Sequence, residues 1–141
     1  MLTLILPDGL RAQLECEARA AFPEECCGLI EGERAGDVVR SLALHPTKNV
    51  ADDPASGFEI DPVAHIRLRC ALRGTGREVV GCYHSHPNGR PTPSDRDRAN
   101  PGEDGFVWLI AAVAHDVTIA AFAAGALSPV TLQAEAGISP R

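Results

Sequence analysis

The stretch GCYHSHPNGRPTPSDRD at residues 81–97 contains the densest group of chemically reactive side chains in the chain. It follows the apolar pair Val79-Val80, which indicates a β-strand, and it continues into a loop that contains three prolines. Because alternate side chains of a strand share a face, His84 and His86 project from the same side of the predicted strand. Their ring nitrogens can therefore converge on a single metal ion at about 2.0–2.1 Å.

A short helix is predicted directly after this loop, over residues 94–99, with Ser94 as its N-cap. Asp97 lies three residues after Ser94, so the two side chains share one face of that helix. Asp97 can supply a carboxylate oxygen as a third metal ligand, beside His84 and His86. Three protein ligands leave the fourth position of a tetrahedral zinc ion for water, which is typical of a catalytic site and not of a structural one. The sequence predicts one Zn²⁺ per chain at this place.

Zinc lowers the pKa of a water molecule that it binds to about 7, and hydrolysis also needs a base that lies near the metal without binding it. The four spaced residues resemble the signature H-x-H-x7-S-x-x-D of the JAMM (MPN-plus, Mov34/MPN/PAD-1) zinc metalloprotease family, and they match it without a gap. Residues 23–28, PEECCG, are similar to the P-x-E-x-C-G context in which that family carries its glutamate. The resemblance assigns this role to Glu25, which Glu24 merely precedes. The likeness to small bacterial members extends over nearly the whole chain and includes Asn49, Phe58 and Asp61-Pro62.

The resemblance implies a zinc-dependent peptidase or isopeptidase with an α/β fold of the cytidine-deaminase-like type, a three-layer α/β/α structure with a central mixed β-sheet. It implies that His84, His86 and Asp97 bind zinc, that Glu25 acts as general base and then as general acid, and that Ser94 stabilises the oxyanion. The small bacterial members process ubiquitin-like sulfur carrier proteins, which have a β-grasp fold and a Gly-Gly C-terminus. The expected reaction is hydrolysis just after that tail, which releases cysteine or a C-terminal extension.

The expected partner is a small β-grasp protein, because 141 residues leave room for little beyond a catalytic core. Its Gly-Gly tail could add as a strand beside an exposed edge near Gly28 or beside the loop at residues 87–93. The predicted substrate-facing loops are residues 45–58 and 98–106. Exposed edge strands would also allow two copies to pair as a homodimer. Three arginines flank the predicted site, either as ordinary surface residues or as contacts for an acidic patch or a C-terminal carboxylate of the partner: Arg90, Arg96 and Arg98.

Hydrophobic periodicity predicts one catalytic domain over residues 1–135, followed by a frayed C-terminal tail at residues 136–141. Strands are expected at residues 2–6, 26–31, 37–44, 78–85, 106–114, 117–124 and 130–134. Helices are expected at residues 7–22, 61–73 and 94–99, and a loop at residues 45–56. Strands that alternate with two separated helices favour a single layered α/β or α+β structure.

The composition excludes several classes of function. A formal net charge of −6 argues against nucleic acid or a membrane surface as the partner. A TIM barrel needs roughly 200 residues or more. The first ten residues, MLTLILPDGL, lack the basic region and the long apolar region of a signal peptide. Five cysteines, an odd number, do not indicate a disulfide framework. We therefore expect a cytoplasmic protein whose cysteines are mostly small buried apolar residues.

Two other kinds of function remain open at this point. One is a catalytically silent MPN-type scaffold for protein interactions, which the complete set of five residues disfavours. The other is a metal-dependent hydrolase of a small molecule, such as a cupin with an H-x-H pattern, although cupins are all-β. Cys82 lies on the same face as His84 and could serve as a fourth ligand or as a nucleophile. Three histidines have no partner at metal-ligand spacing and are expected to be ordinary polar residues: His45, His65 and His115.

Overall fold

The fold is described by a computed structural model that covers residues 2–136. Its elements, in chain order, are β1 (Thr3–Pro7), α1 (Asp8–Ala21), β2 (Cys27–Ala35), β3 (Val38–Thr47), α2 (Pro62–Leu72), β4 (Glu78–His86), α3 (Asp95–Ala99), β5 (Val107–Val113), β6 (Val117–Ala123) and β7 (Ser128–Glu135). Every strand and helix predicted from the hydrophobic pattern is present, with shifted ends. The predicted tail at residues 136–141 lies, apart from Ala136, outside the described residues.

The seven strands pair in the cyclic order β1-β3-β2-β4-β5-β6-β7, and β1 pairs with β7 to close the sheet into a barrel. Three pairs are parallel, namely β1 with β3, β1 with β7 and β4 with β5. The other four pairs are antiparallel. The predicted mixed α/β class with a central mixed sheet is therefore confirmed, whereas the cytidine-deaminase-like type stays a prediction.

The helices lie on opposite faces of the sheet. On one face, α1 buries Leu14 and Ala18 in the larger apolar cluster. On the other face, Leu68 and Leu72 of α2 pack against a second cluster that includes Trp108. The side chain of Asp61 caps α2 by accepting a hydrogen bond from the N–H of residue 63 at 2.9 Å, as the Asp-Pro pair predicts. Helices of 14 and 11 residues contradict the all-β cupin alternative.

The hairpin of β2 and β3 is longer than the sequence pattern predicts. Both strands continue until Cys27 faces Thr47, so His45 and Pro46 belong to a strand and not to the predicted loop. A proline is tolerated there because β1 pairs only with residues 38–40 of β3, which leaves this half of β3 with one strand neighbour. Within this strand, the Nε2 atom of His45 lies 2.8 Å from the carboxylate of Glu31.

Closure of the sheet limits where an exposed edge can lie. Each of the seven described strands has a neighbour on both sides along at least part of its length. Gly28 itself pairs with Pro46 on one side and with Tyr83 on the other, so the open edge near it is the half of β3 that has one strand neighbour. A Cβ atom at Gly28 would lie 2.3 Å from the Tyr83 hydroxyl oxygen, so close interior packing requires this glycine. The predicted homodimer stays a prediction, because the half of β3 that has one strand neighbour leaves an edge available.

Within residues 2–136, the helices are too short or too polar to cross a lipid bilayer.

Candidate metal centre

The end of strand β4 carries two buried histidines. His84 and His86 are 0% and 2% exposed, and both project from the face of the sheet that α2 covers, as strand alternation predicts. Tyr83 and Ser85, which alternate with the histidines, face the other side of the sheet and make hydrogen bonds there. The Tyr83 hydroxyl donates to Glu17 at 2.7 Å, and the Ser85 hydroxyl accepts a hydrogen bond from the Cys26 N–H at 2.7 Å.

Helix α3 brings Asp97 to the same place. Ser94 is its N-cap, as predicted, and the Ser94 hydroxyl accepts a hydrogen bond from the Asp97 N–H at 3.1 Å. In return, the Ser94 N–H donates to Asp97 Oδ2 at 2.9 Å. This reciprocal capping box fixes the Asp97 side chain relative to the start of the helix. Asp97 is 4% exposed as a result.

Three ligand-type atoms converge in a nearly equilateral triangle. The Nε2 atoms of His84 and His86 are 3.0 Å apart, and they lie 3.1 Å and 3.0 Å from Asp97 Oδ2. Hydrogen bonds do not explain all three contacts at once. If both Nε2 atoms carry a proton and donate to Asp97 Oδ2, the contact between the two Nε2 atoms brings two N–H donors together with no acceptor between them. Ligands at about 2.0–2.1 Å from a tetrahedral zinc ion are about 3.3 Å apart, so these three atoms fit such an ion closely.

The tautomer of His86 also suits a metal ligand. Its Nδ1 atom lies 2.8 Å from the carbonyl oxygen of Arg90, to which a protonated Nδ1 donates. This hydrogen bond leaves the lone pair of Nε2 directed at the triangle. The same contact shows how the proline-rich loop contributes, because it folds back and offers a backbone carbonyl to the ring.

His84 is held differently. Its buried Nδ1 atom has no hydrogen-bond partner among the described residues. Aromatic packing holds the ring instead. Phe58 stacks on it with a centroid distance of 4.1 Å and an interplanar angle of 16°, and Trp108 meets it edge-on at 5.4 Å. Sequence analysis singled out Phe58 only through the resemblance and missed Trp108, which lies on the neighbouring strand β5.

The pKa shifts of Asp97 and His84 favour the protonation states that bind a metal. Burial alone would raise the pKa of Asp97, but the two imidazoles outweigh burial and hold that pKa well below its usual range. Burial lowers the pKa of His84, which favours the neutral imidazole that binds metals. For His86, the Asp97 carboxylate outweighs burial and raises the pKa. The cluster therefore holds an anionic carboxylate against two imidazoles, of which burial favours the neutral form at His84 and the carboxylate favours the protonated form at His86.

Glu25 lies beside the triangle. One of its carboxylate oxygens is within 4.8 Å of ring nitrogens of both His84 and His86. Its Oε1 atom is buried and has no hydrogen-bond partner among the described residues. Glu25 is 6% exposed, whereas Glu24 is exposed to solvent, so the structure brings Glu25 and not its neighbour to the site. Burial raises the pKa of Glu25 to about 7.

Two ligand sets are thus conceivable, since Glu25 and Asp97 both approach the histidines. Asp97 Oδ2 lies within 3.1 Å of both Nε2 atoms, while Glu25 belongs to a looser group with a limit of 4.8 Å. The shorter distances favour Asp97 as the ligand and leave Glu25 free for another task. Cys82 is part of the adjacent apolar cluster, and burial raises the pKa of its thiol to about 12, which disfavours it as a ligand or a nucleophile.

A cavity of about 520 Å³ opens next to Asp97. Both loops that were predicted to face the substrate contribute to its walls, through residues 51–58 on one side and residues 100–106 on the other. Arg96, one of the three predicted arginines, lines this cavity, and its guanidinium donates to the Ser56 hydroxyl at 2.9 Å. Trp108 and Phe106 give the cavity an aromatic floor.

Comparison with known proteins agrees with this geometry. The family described as prokaryotic homologs of the JAB domain matches residues 7–124, which is most of the chain. The chain belongs to the prokaryotic JAB-domain family. This result confirms the predicted membership of the JAMM/MPN proteins, in the small prokaryotic form.

Two relatives of this JAB-domain protein have names that state an activity. The chain is 39% identical over 88 residues to the desampylase of Haloferax volcanii, an alignment that covers 62% of each protein. It is 34% identical over 96 residues to a probable TtuB-protein conjugate cleaving protease of Thermus thermophilus, over 68% of this chain and 62% of that protein. The chain thus spans about 62% of the length of these two curated relatives.

The fold of the JAB-domain protein also occurs in a known structure. A protein of Desulfitobacterium hafniense superimposes with a TM-score of 0.83 at 24% identity, over 99% of this chain and 96% of the other. At that level of identity, the likeness shows a shared fold.

Proposed function

We propose that this protein is a zinc-dependent metallopeptidase or isopeptidase that hydrolyses the bond after the Gly-Gly tail of a ubiquitin-like carrier protein. The observation that carries the proposal is the triangle formed by His84, His86 and Asp97, with the unpartnered carboxylate oxygen of Glu25 beside it. The relatives support the substrate class, since one of them is named for cleaving conjugates of TtuB with proteins.

The roles follow from the position of each group. His84, His86 and Asp97 would hold one zinc ion, which supplies Lewis-acid polarisation of the substrate carbonyl and an activated water at neutral pH. Glu25 would accept a proton from the attacking water and pass it to the leaving amine, since a general base works best with a pKa near the operating pH. The Ser94 oxygen already accepts a bond from Asp97 N–H, so its own proton can be donated to the oxyanion.

The substrate would reach this centre along the surface between the two loops that line the cavity. A Gly-Gly tail suits a narrow approach because side chains at those positions would meet the walls. The candidates for backbone pairing with the tail are the half of β3 beside Gly28 that has one strand neighbour and the loop at residues 87–93. All five cysteines are free, which supports a reducing compartment such as the cytoplasm.

The test uses the zinc-loaded protein and a β-grasp carrier whose Gly-Gly terminus is joined either to cysteine or to a lysine side chain. Mass spectrometry follows the loss of the attached group, with and without a chelator. We expect cleavage by the wild type, and its loss when zinc is removed. Glu25→Gln should keep one zinc ion per chain and lose about 10²–10⁴-fold in turnover, because it removes the base and leaves the ligands.

Glu24→Gln is the matched control, because it makes the same chemical change at the exposed neighbouring residue. It should leave zinc content and turnover unchanged. A wild type that binds zinc and cleaves neither conjugate would overturn the proposed reaction and favour the scaffold alternative. Full activity of Glu25→Gln would overturn the assignment of the base alone.

A further inference from the structure

Asn49 stands out among the polar side chains near the site because both ends of its amide group are fully used. It lies just after β3 and is partly buried. Its Nδ2 atom donates to the carbonyl oxygens of Glu25 and Gly57, each at 3.0 Å. Its Oδ1 atom accepts hydrogen bonds from the N–H groups of Ala51 and Glu59, each at 3.1 Å. One side chain thus holds both ends of the loop at residues 50–59.

This loop and Asn49 together hold the backbone of Glu25 on both sides. The Glu25 N–H donates to the carbonyl oxygen of Pro54 at 2.8 Å, and the Glu25 carbonyl accepts from Asn49. The Oε1 atom of the Glu25 side chain, by contrast, has no hydrogen-bond partner among the described residues. The position of the Glu25 carboxylate is therefore determined through its backbone, and that backbone is attached to a loop that Asn49 organises.

The far end of this loop reaches the histidines. Phe58 stacks on His84, and the buried Gly57 lies against the guanidinium of Arg96, which precedes Asp97 in α3. A Cβ atom at Gly57 would lie 2.8 Å from an Arg96 nitrogen, so the loop and α3 are in close contact. The loop therefore connects Glu25 on one side with the metal-ligand histidine on the other.

We propose that Asn49 is the positioning residue for Glu25, and that its amide sets the distance between the Glu25 carboxylate and the His84 imidazole. Asparagine suits this position because the loop needs donors and an acceptor on one short side chain. An aspartate at position 49 would keep the oxygen that accepts hydrogen bonds and would lose the N–H groups that donate to Glu25 and Gly57. An alanine there would lose the acceptor and the donors. The catalytic part of this inference rests on the proposed function, whereas the structural part does not.

The experiment compares Asn49→Ala and Asn49→Asp with the wild type. The first measurement is hydrogen exchange of the Glu25 amide by NMR, which needs no substrate. We expect exchange to become at least about tenfold faster in both variants, because the loop that accepts this N–H is released. The second measurement is turnover. We expect kcat to fall at least about tenfold with an unchanged KM and one zinc ion per chain, since such supporting contacts are worth about 10–100-fold.

Two controls separate positioning from general damage. Thr75→Ala removes another loop-organising side chain, whose hydroxyl donates to the Leu72 carbonyl at 2.6 Å and accepts from the Arg77 N–H at 3.1 Å. It should change neither measurement. In a Glu25→Gln background, Asn49→Ala should cause no further loss of turnover, because a residue that acts through Glu25 has nothing left to position.

Unchanged exchange of the Glu25 amide in both Asn49 variants would overturn the inference, whether or not the protein cleaves any conjugate. An equal loss of turnover in the presence and absence of the Glu25 carboxylate would overturn the assignment to Glu25. If Asn49→Ala does not fold, Asn49→Asp, which keeps the acceptor, decides the question by the same two measurements. An inactive wild type would count against the proposed function, while the exchange data would still decide the role of Asn49.

Discussion

Replacement of Phe58 by alanine tests whether aromatic packing holds the ring of His84, the proposed zinc ligand. Phe58 is half-buried and stacks on His84 at 4.1 Å. Truncation of a fully buried phenylalanine costs about 3–5 kcal/mol. Half of that, about 2 kcal/mol, is the expected loss in free energy of unfolding of the metal-free protein, of which about 0.5–1.5 kcal/mol belongs to the ring pair itself.

The loss of zinc affinity is the more specific consequence. His84 Nδ1 has no hydrogen-bond partner among the described residues, so the ring depends on its packing for orientation. Outer contacts that orient a metal ligand are worth about 10–100-fold in affinity, or about 1.4–2.7 kcal/mol. Competition with a chelator of known affinity measures this change directly, and urea unfolding in excess chelator measures the metal-free stability.

Phe106→Ala is the matched control for this prediction. Phe106 lines the same cavity and is also half-buried, but its ring contacts are with His65 at 6.0 Å and with the guanidinium of Arg69 at 5.4 Å. It should lower stability and leave zinc affinity close to that of the wild type. If Phe58→Ala binds zinc as tightly as the wild type, the idea that stacking orients His84 is refuted.

Two predictions concern the fold. Gly81→Ala places a Cβ atom 1.9 Å from a backbone oxygen of β5, so it should lower the free energy of unfolding in urea by about 3 kcal/mol or more. The control is Gly9→Ala in α1, where a Cβ atom has no neighbour within 4 Å. It should leave the free energy of unfolding unchanged or raise it by up to about 1 kcal/mol. Burial would raise the pKa of Glu31, but hydrogen bonds from Arg77 and His45 outweigh it and lower that pKa. This carboxylate therefore contributes stability above its unfolded pKa of about 4.3, and loses it as the pH falls through the folded value. Glu31→Gln should flatten the acid limb of the stability profile, and an unchanged limb would contradict this assignment.

The part of the site within residues 81–97 could be predicted because local rules place it. Strand periodicity puts His84 and His86 on one face, and the N-cap at Ser94 fixes the start of the helix that carries Asp97. These residues are close in the chain, so little depends on the path of the rest of the molecule. The structure brings all of them together as expected.

The remaining features depend on contacts between distant parts of the chain. Glu25 was assigned only through a resemblance, because 59 residues separate it from His84 and no local rule connects them. The stacking of Phe58 on His84 and the hydrogen bonds of Asn49 arise from a loop without periodic pattern. His45 was expected in a loop because Pro46 follows it, yet pairing with β2 keeps both residues in a strand. The pairing of β1 with β7, which closes the barrel, likewise leaves no signal in the local sequence pattern.

The pairing of β1 with β7 has a consequence for how the chain is made. Thr3–Pro7 finds its main neighbour at residues 131–135, and otherwise has only three residues of β3 beside it. During synthesis, β7 emerges after the other six described strands, so β1 waits through all of them for its main partner. Contacts of such long sequence separation slow folding, and an unpaired strand offers its N–H and C=O groups to other chains. The interval before β7 leaves the ribosome is therefore a period in which β1 is exposed to aggregation.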